Sequence, residues 1–140
     1  MNTQIERVIT AHKKAAKAHK TANLAFATER ELAILFWPDH QTINKEHSEM
    51  AYQATEVAGY LARLAHEAAD EAIEATLVIR LNNPTSMWAH EASKTTKEKF
   101  GHGTNAWDAP AWASLAHERA AKAHERAAEQ HEREIATQCS

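Results

Sequence analysis

Polar and apolar positions along this chain repeat with a period of seven. Residues 116–134 read AHERAAKAHERAAEQHERE, two and a half copies of A-H-E-R-A-A-x. His117, Ala121, His124, Ala128, His131 and Ile135 are spaced four and three, which holds one seam on one side of a helix. Ala116, Ala120, Ala123 and Ala127 form a stripe beside it. Glu118, Arg119, Lys122, Glu125, Arg126, Glu129, Glu132 and Arg133 fill the remaining arc. The N-terminal stretch repeats the scheme: Ile5, Ile9, His12, Ala16, His19, Asn23 and Phe26 form the seam, and Ala11, Ala15, Ala18, Ala22 and Ala25 flank it. Lys13, Lys14, Lys17 and Lys20 lie on the back. Such alanine stripes let helix axes approach to about 8–10 Å.

This pattern predicts four helices. The first runs from about 4 to 36, with Thr3 and Glu6 as a capping box, Pro38 as its stop and Trp37 as a plug for the core. The second runs from about 42 to 81, capped by Asp39 or Thr42. Its polar side is narrow (Glu49, Gln53, Glu56, Tyr60, Arg63, Glu67, Asp70, Glu74). Met50, Val57, Leu61, Leu64, Ile73, Leu77 and Ile79 lie outside it, with a small stripe of Ala51, Ala58, Ala65 and Ala72. So wide an apolar arc calls for more than one neighbour, as in a central helix or one shared with another subunit. Gly59 costs about 1 kcal/mol against alanine, which fits a close crossing or a bend. Asn82-Asn83-Pro84 ends the second helix. Thr85 or Ser86 caps a short third helix, about 86–100, anchored by Met87, Trp88 and Phe100. Gly101 suits a left-handed C-terminal cap. Asp108 caps a fourth helix, about 109–136, with Pro110 in its first turn. The expected fold is all-α: an elongated antiparallel helical bundle of three long helices plus one short helix, spanning 1–140 as one domain.

Composition narrows the function. Much of the 44% hydrophobic content is alanine, so the core is thin and built from close helix contacts. Net charge is −3 with neutral histidines, and ten charges more positive when every histidine is protonated. Histidine titrates near 6.5, so pH sensitivity follows. The lack of a basic surplus argues against DNA or RNA as partner. The single Cys139 excludes an internal disulfide and suits a reducing cytoplasm. The start MNTQIERVIT has no signal-peptide pattern. LAILFW at 32–37 is far shorter than the ~20 residues of a membrane span, so no membrane partner is expected.

Ten histidines raise metal binding first. Zinc needs three or four ligands around one point, and histidines seven apart on one helix are separated by about 10.5 Å. None of the His-Glu pairs has a histidine three residues on. His66 and Asp70 are the lone His/carboxylate pair at i,i+4, leaving only a site assembled between helices. No G-x-S-x-G turn or phosphate loop is present. The expectation is no enzyme: no catalytic residue, no metal and no cofactor.

Two readings of the histidine seams are open. Each imidazole packs on a neighbouring helix and bonds a side chain or water, or the seams line a polar pocket. In the second reading His12, His19, His66, His102, His117, His124 and His131, with Trp107 and Trp112, hold a flat anion such as a nucleotide, and Lys13, Lys17 and Lys20 neutralise its phosphate. Residues 100–112, with Phe100, His102, Asn105, Trp107 and Trp112 around two glycines, read either as a hydrophobic plug or as an aromatic pocket.

The A-H-x-x-A-A-x repeat with FGHG at 100–103 resembles small Ala/His-heptad helical proteins of bacteria and their phages. The likeness covers mainly 11–19, 65–72 and 100–134. It implies a helical fold, a bacterial or phage-infected cell as setting, and no assigned reaction. The resulting expectation is a non-enzymatic interaction protein that forms a homo-oligomer through Ala/His seams. The alternative is a small-ligand-binding, nucleotide-sequestering protein.

Overall fold

The computed structural model describes residues 2–36, 45–78, 84–100 and 109–139, and all four segments are helical. Helix α1 is Asn2–Phe36, α2 Lys45–Val78, α3 Pro84–Phe100 and α4 Ala109–Cys139. α1 packs most extensively on α4 and α2, and α3 lies against α4 and α2. Contacts between side chains fix the directions. Steps of seven up α1, from His12 to His19, are matched by steps of seven down α4, from His124 to His117. Lys14 meets Glu71, and Glu29 meets Thr55, so α2 also runs against α1. Ser86 and Ser93 of α3 pair in ascending order with His12 and His19, so α3 runs parallel to α1 across the diagonal. The result is an up-down-up-down bundle, and its all-α, four-helix make-up is the one the sequence pattern predicts.

Alanine allows this close packing. Ala15, Ala16 and Ala22 of α1, Ala58, Ala62, Ala65, Ala68, Ala69 and Ala72 of α2, and Ala113, Ala120, Ala121, Ala127 and Ala128 of α4 are all buried. Val8, Ile9 and Phe26 are the larger apolar residues buried with them among the described residues. Phe26, Ala58, Ala62 and Ala113 form an apolar layer.

Several expectations change. Thr3 lies inside α1, which already begins at Asn2. α3 starts at Pro84, a position where the missing N–H costs nothing, so Thr85 and Ser86 sit within its first turn. Ser86 is buried, while Met87 and Trp88, the expected anchors, are exposed. The inward face of α3 is Ser86, Ala89, Ser93 and Thr96. Gly59 marks no close crossing, because a Cβ there would meet nothing within 4 Å. On α2 Ala58, Ala62, Ala65, Ala68, Ala69 and Ala72 face the core, and Met50, Val57, Tyr60, Leu64 and Leu77 lie at the surface. α4 extends to Cys139. The readings placed on Trp37, Pro38, Asp39, Thr42, Ile79, Asn82, Asn83, Gly101, His102, Asn105, Trp107 and Asp108 fall outside the described residues. None of the described helices is long and apolar enough to cross a membrane.

Candidate functional site

The largest fully buried side chains are mostly histidines: His12, His19, His117, His124 and His131 are each at most 1% exposed, and His66 is also buried. The heptad spacing places them one above another on α1 and α4, with α3 supplying hydroxyls from the diagonal. His12 Nδ1 lies 2.9 Å from His124 Nδ1, and His12 Nε2 lies 3.1 Å from Ser86 Oγ. Ser86 Oγ is also 2.8 Å from His131 Nε2, whose ring ends 3.2 Å from Glu134 Oε2 through Nδ1. One heptad along, His19 Nδ1 is 2.8 Å from His117 Nδ1, and His19 Nε2 is 2.9 Å from Ser93 Oγ. Ser93 Oγ closes the gap between the two layers, 2.8 Å from His124 Nε2.

The rings also stack. His12 lies over His131 at 5.9 Å and His19 over His124 at 5.5 Å, with interplanar angles of 14° and 16°. Phe26 closes one end, stacked on His117 at 5.4 Å, and His66 stacks on His117 at 5.7 Å. His66 is fixed by Thr96, whose hydroxyl donates to the Ser93 carbonyl and therefore accepts from His66 Nε2–H at 2.7 Å. The Nε2 atom of His117 is buried without a hydrogen-bond partner among the described residues.

Burial holds His12, His19, His66, His117 and His124 neutral, because a charged ring loses its hydration in the core. It lowers His12 to about 4, with His131 adding to the effect. His19 falls to about 2, by burial and then by His117, His124 and His66. His117 falls to about 4, by burial and then His66, and His124 to about 3, by burial and then by His12 and His90. His66 is lowered by burial and by Lys97, against an opposing pull from Asp70. A neutral imidazole has one N–H donor and one bare acceptor nitrogen, so each ring can give one hydrogen bond and take one.

Of the residues singled out from sequence, the structure brings His12, His19, His66, His117, His124 and His131 together. It does not bring the lysines to them. Lys13 pairs with Glu132 at 2.5 Å and Lys20 with Glu125, both on the exposed α1–α4 edge. Lys17 lies instead in a groove of about 310 Å³ between α1 and α2, with Lys14, Leu61, Leu64, Glu67 and Glu71. Trp112 is 58% exposed and stacks on none of these rings. Sequence reasoning missed Ser86, Ser93, Thr96 and Glu134. The first three were legible as a seam, since 86, 89, 93 and 96 are spaced three, four and three. No group of three or more His, Cys, Asp or Glu among the described residues is placed to hold a metal ion.

Comparison with protein-family models, with curated proteins and with solved structures gives no match for this chain.

Proposed function

We propose that this chain is a non-enzymatic interaction protein that binds a second copy of itself through the outer face of α2. The observation that carries the reading is the row Met50, Val57 and Leu64, spaced by seven and 47%, 52% and 38% exposed, with Tyr60 beside it at 55%. Four large side chains along one helix face make an apolar patch of the kind that marks an interaction site. A second copy fits because the adjoining groove, bridged by the Lys14–Glu71 pair, has Lys17 on one wall and Glu67 on the other. A two-fold axis across this face would set each cationic wall against the partner's anionic one. In this reading the histidine core gives the subunit its shape, and α2 does the binding. The Ala/His-heptad resemblance supports the cytoplasm of a bacterium or a phage-infected cell as its setting.

The alternative ligand reading draws support from a different place than expected, a recess of about 210 Å³ lined by His66, Asp70, His90, Lys94 and Lys97. Two lysines and two histidines there favour a small anion over a flat aromatic one.

Native mass spectrometry of gently purified protein separates the two. A dimer that becomes a monomer in V57E/L64E, with helicity retained, supports the interaction reading. A monomer in the parent chain, or a dimer unaffected by the double substitution, would overturn it. Retained anionic mass lost in K94A/K97A would move the assignment to the recess.

A further inference from the structure

Hydrogen-bond contacts join eight side chains end to end: Glu134, His131, Ser86, His12, His124, Ser93, His19 and His117. No link in this chain exceeds 3.2 Å. It threads three helices and crosses the bundle diagonal at each serine. Its ends are 17 residues apart on α4, about 25 Å at 1.5 Å per residue.

The chemistry of the members permits only one direction at a time. A serine hydroxyl has one proton, so of the two imidazoles flanking it one must donate and the other accept. Two facing Nδ1 atoms likewise hold one proton between them. Glu134 breaks the tie. As a carboxylate it only accepts, so His131 must carry its proton on Nδ1. His131 Nε2 then accepts from Ser86 O–H, and Ser86 accepts from His12 Nε2–H. His12 Nδ1 accepts from His124 Nδ1–H, His124 Nε2 accepts from Ser93 O–H, and Ser93 accepts from His19 Nε2–H. His19 Nδ1 accepts from His117 Nδ1–H. The series leaves His117 Nε2 a bare acceptor, the atom that is buried without a partner among the described residues.

We infer that this chain is a directed proton relay, with His117 Nε2 as its entry and Glu134 as its terminus. When the His117 end opens locally to water, a hydronium ion that gives its proton to His117 Nε2 and leaves as water lets each member pass its own proton one place along, from His117 Nδ1 to His19 Nδ1 and onward through the serines. The last shift moves the His131 Nδ1 proton to Glu134. One proton enters and one carboxylate is neutralised, every imidazole and hydroxyl ends neutral, and the tautomer of every imidazole is reversed. The low-dielectric core disfavours a resident imidazolium, and this shift needs none. The titratable groups facing the entry end are His66, stacked on His117, and His19. His66 stands outside the relay, since its Nε2–H is committed to Thr96.

The test is tautomer assignment by nitrogen-15 NMR of the full-length protein near neutral pH. Protonated and bare ring nitrogens have well-separated shifts. The expected pattern is Nδ1–H at His131, Nε2–H at His12, Nδ1–H at His124, Nε2–H at His19 and Nδ1–H at His117. Any other pattern in the parent protein overturns the relay. Two variants, with helicity checked first, test transmission. In Ser93→Ala the single tautomer at His19 and His117 should be lost while His131 and His12 keep theirs. In Glu134→Lys, which replaces the acceptor by a donor, all five should reverse. If His117 keeps its tautomer in both variants, each ring is set by its own surroundings and no relay exists.

Discussion

At the scale of the residue, the histidines differ sharply in weight from the ion pairs that surround them. His19 is fully buried and bonds both His117 and Ser93. His19→Ala leaves His117 Nδ1 without its His19 partner, at a cost of about 1–3 kcal/mol, takes one of the two partners of Ser93 Oγ, and opens a cavity as well. The expected loss is about 3–5 kcal/mol in urea denaturation at pH 7.5. Lys13→Ala removes a pair whose side chains are 62% and 46% exposed. Water and salt screen such a pair, so the expected loss is within about 1 kcal/mol. Similar denaturation midpoints for the two variants would count against a hydrogen-bonded histidine core. The histidines were legible in the sequence because their spacing of seven, next to alanine, assigns them to a buried seam. Their partners were harder to see. Serine and threonine are small, usually exposed, and Ser86 lies two residues after Pro84, where a capping role reads equally well.

At the scale of the element, what decides each face of a helix is the separation its neighbour allows. The alanines of α2 go inward because α1 approaches closely there, and side chains the size of Met50, Val57 and Leu64 have no room on that face. The width of the apolar arc of α2 was legible, but which half of it faces the core depends on how near α1 and α3 come, and that is a property of the assembled bundle. Glu29 of α1 shows the same dependence. It is buried, accepts a hydrogen bond from Thr55 at 3.1 Å, and has its proton affinity raised by burial against the pull of that bond. Nothing in its local sequence separates it from Glu31, which is exposed. Gly59 gives a direct test of the α2 assignment. Its Cβ position opens into free space, so Gly59→Ala should improve helix propensity with no steric cost. The expected gain is about 0.5–1 kcal/mol, read as a higher melting temperature. A loss would mean that α2 bends or is crossed closely at this point.

At the scale of the whole molecule, a core of stacked neutral histidines makes folding itself a function of pH. The unfolded chain binds protons at imidazoles near 6.5, whereas in the fold burial holds His12 and His117 down to about 4, His124 to about 3 and His19 to about 2. Between those limits the unfolded state holds more protons, so stability rises with pH and falls on acidification. The contribution is whole above about pH 7, starts to fall as pH passes below 6.5, and is spent once pH passes the folded values. At pH 5 each of the four rings has given up about 2 kcal/mol, roughly 8 kcal/mol together. That is of the order of the entire stability of a small domain, about 5–15 kcal/mol. The chain should therefore unfold cooperatively between about pH 5.5 and 4.5, before most carboxylates are protonated. Circular dichroism from pH 8 to pH 4 checks this directly, and a melting temperature unchanged between pH 8 and pH 5 would contradict it. The self-association proposed for α2 should be lost in the same window for the same reason. Surface charge repulsion alone would separate the copies with their helices intact, whereas loss of the histidine core removes helicity and dimer mass together. Recording both signals on one acid titration tells which of the two drives the subunits apart.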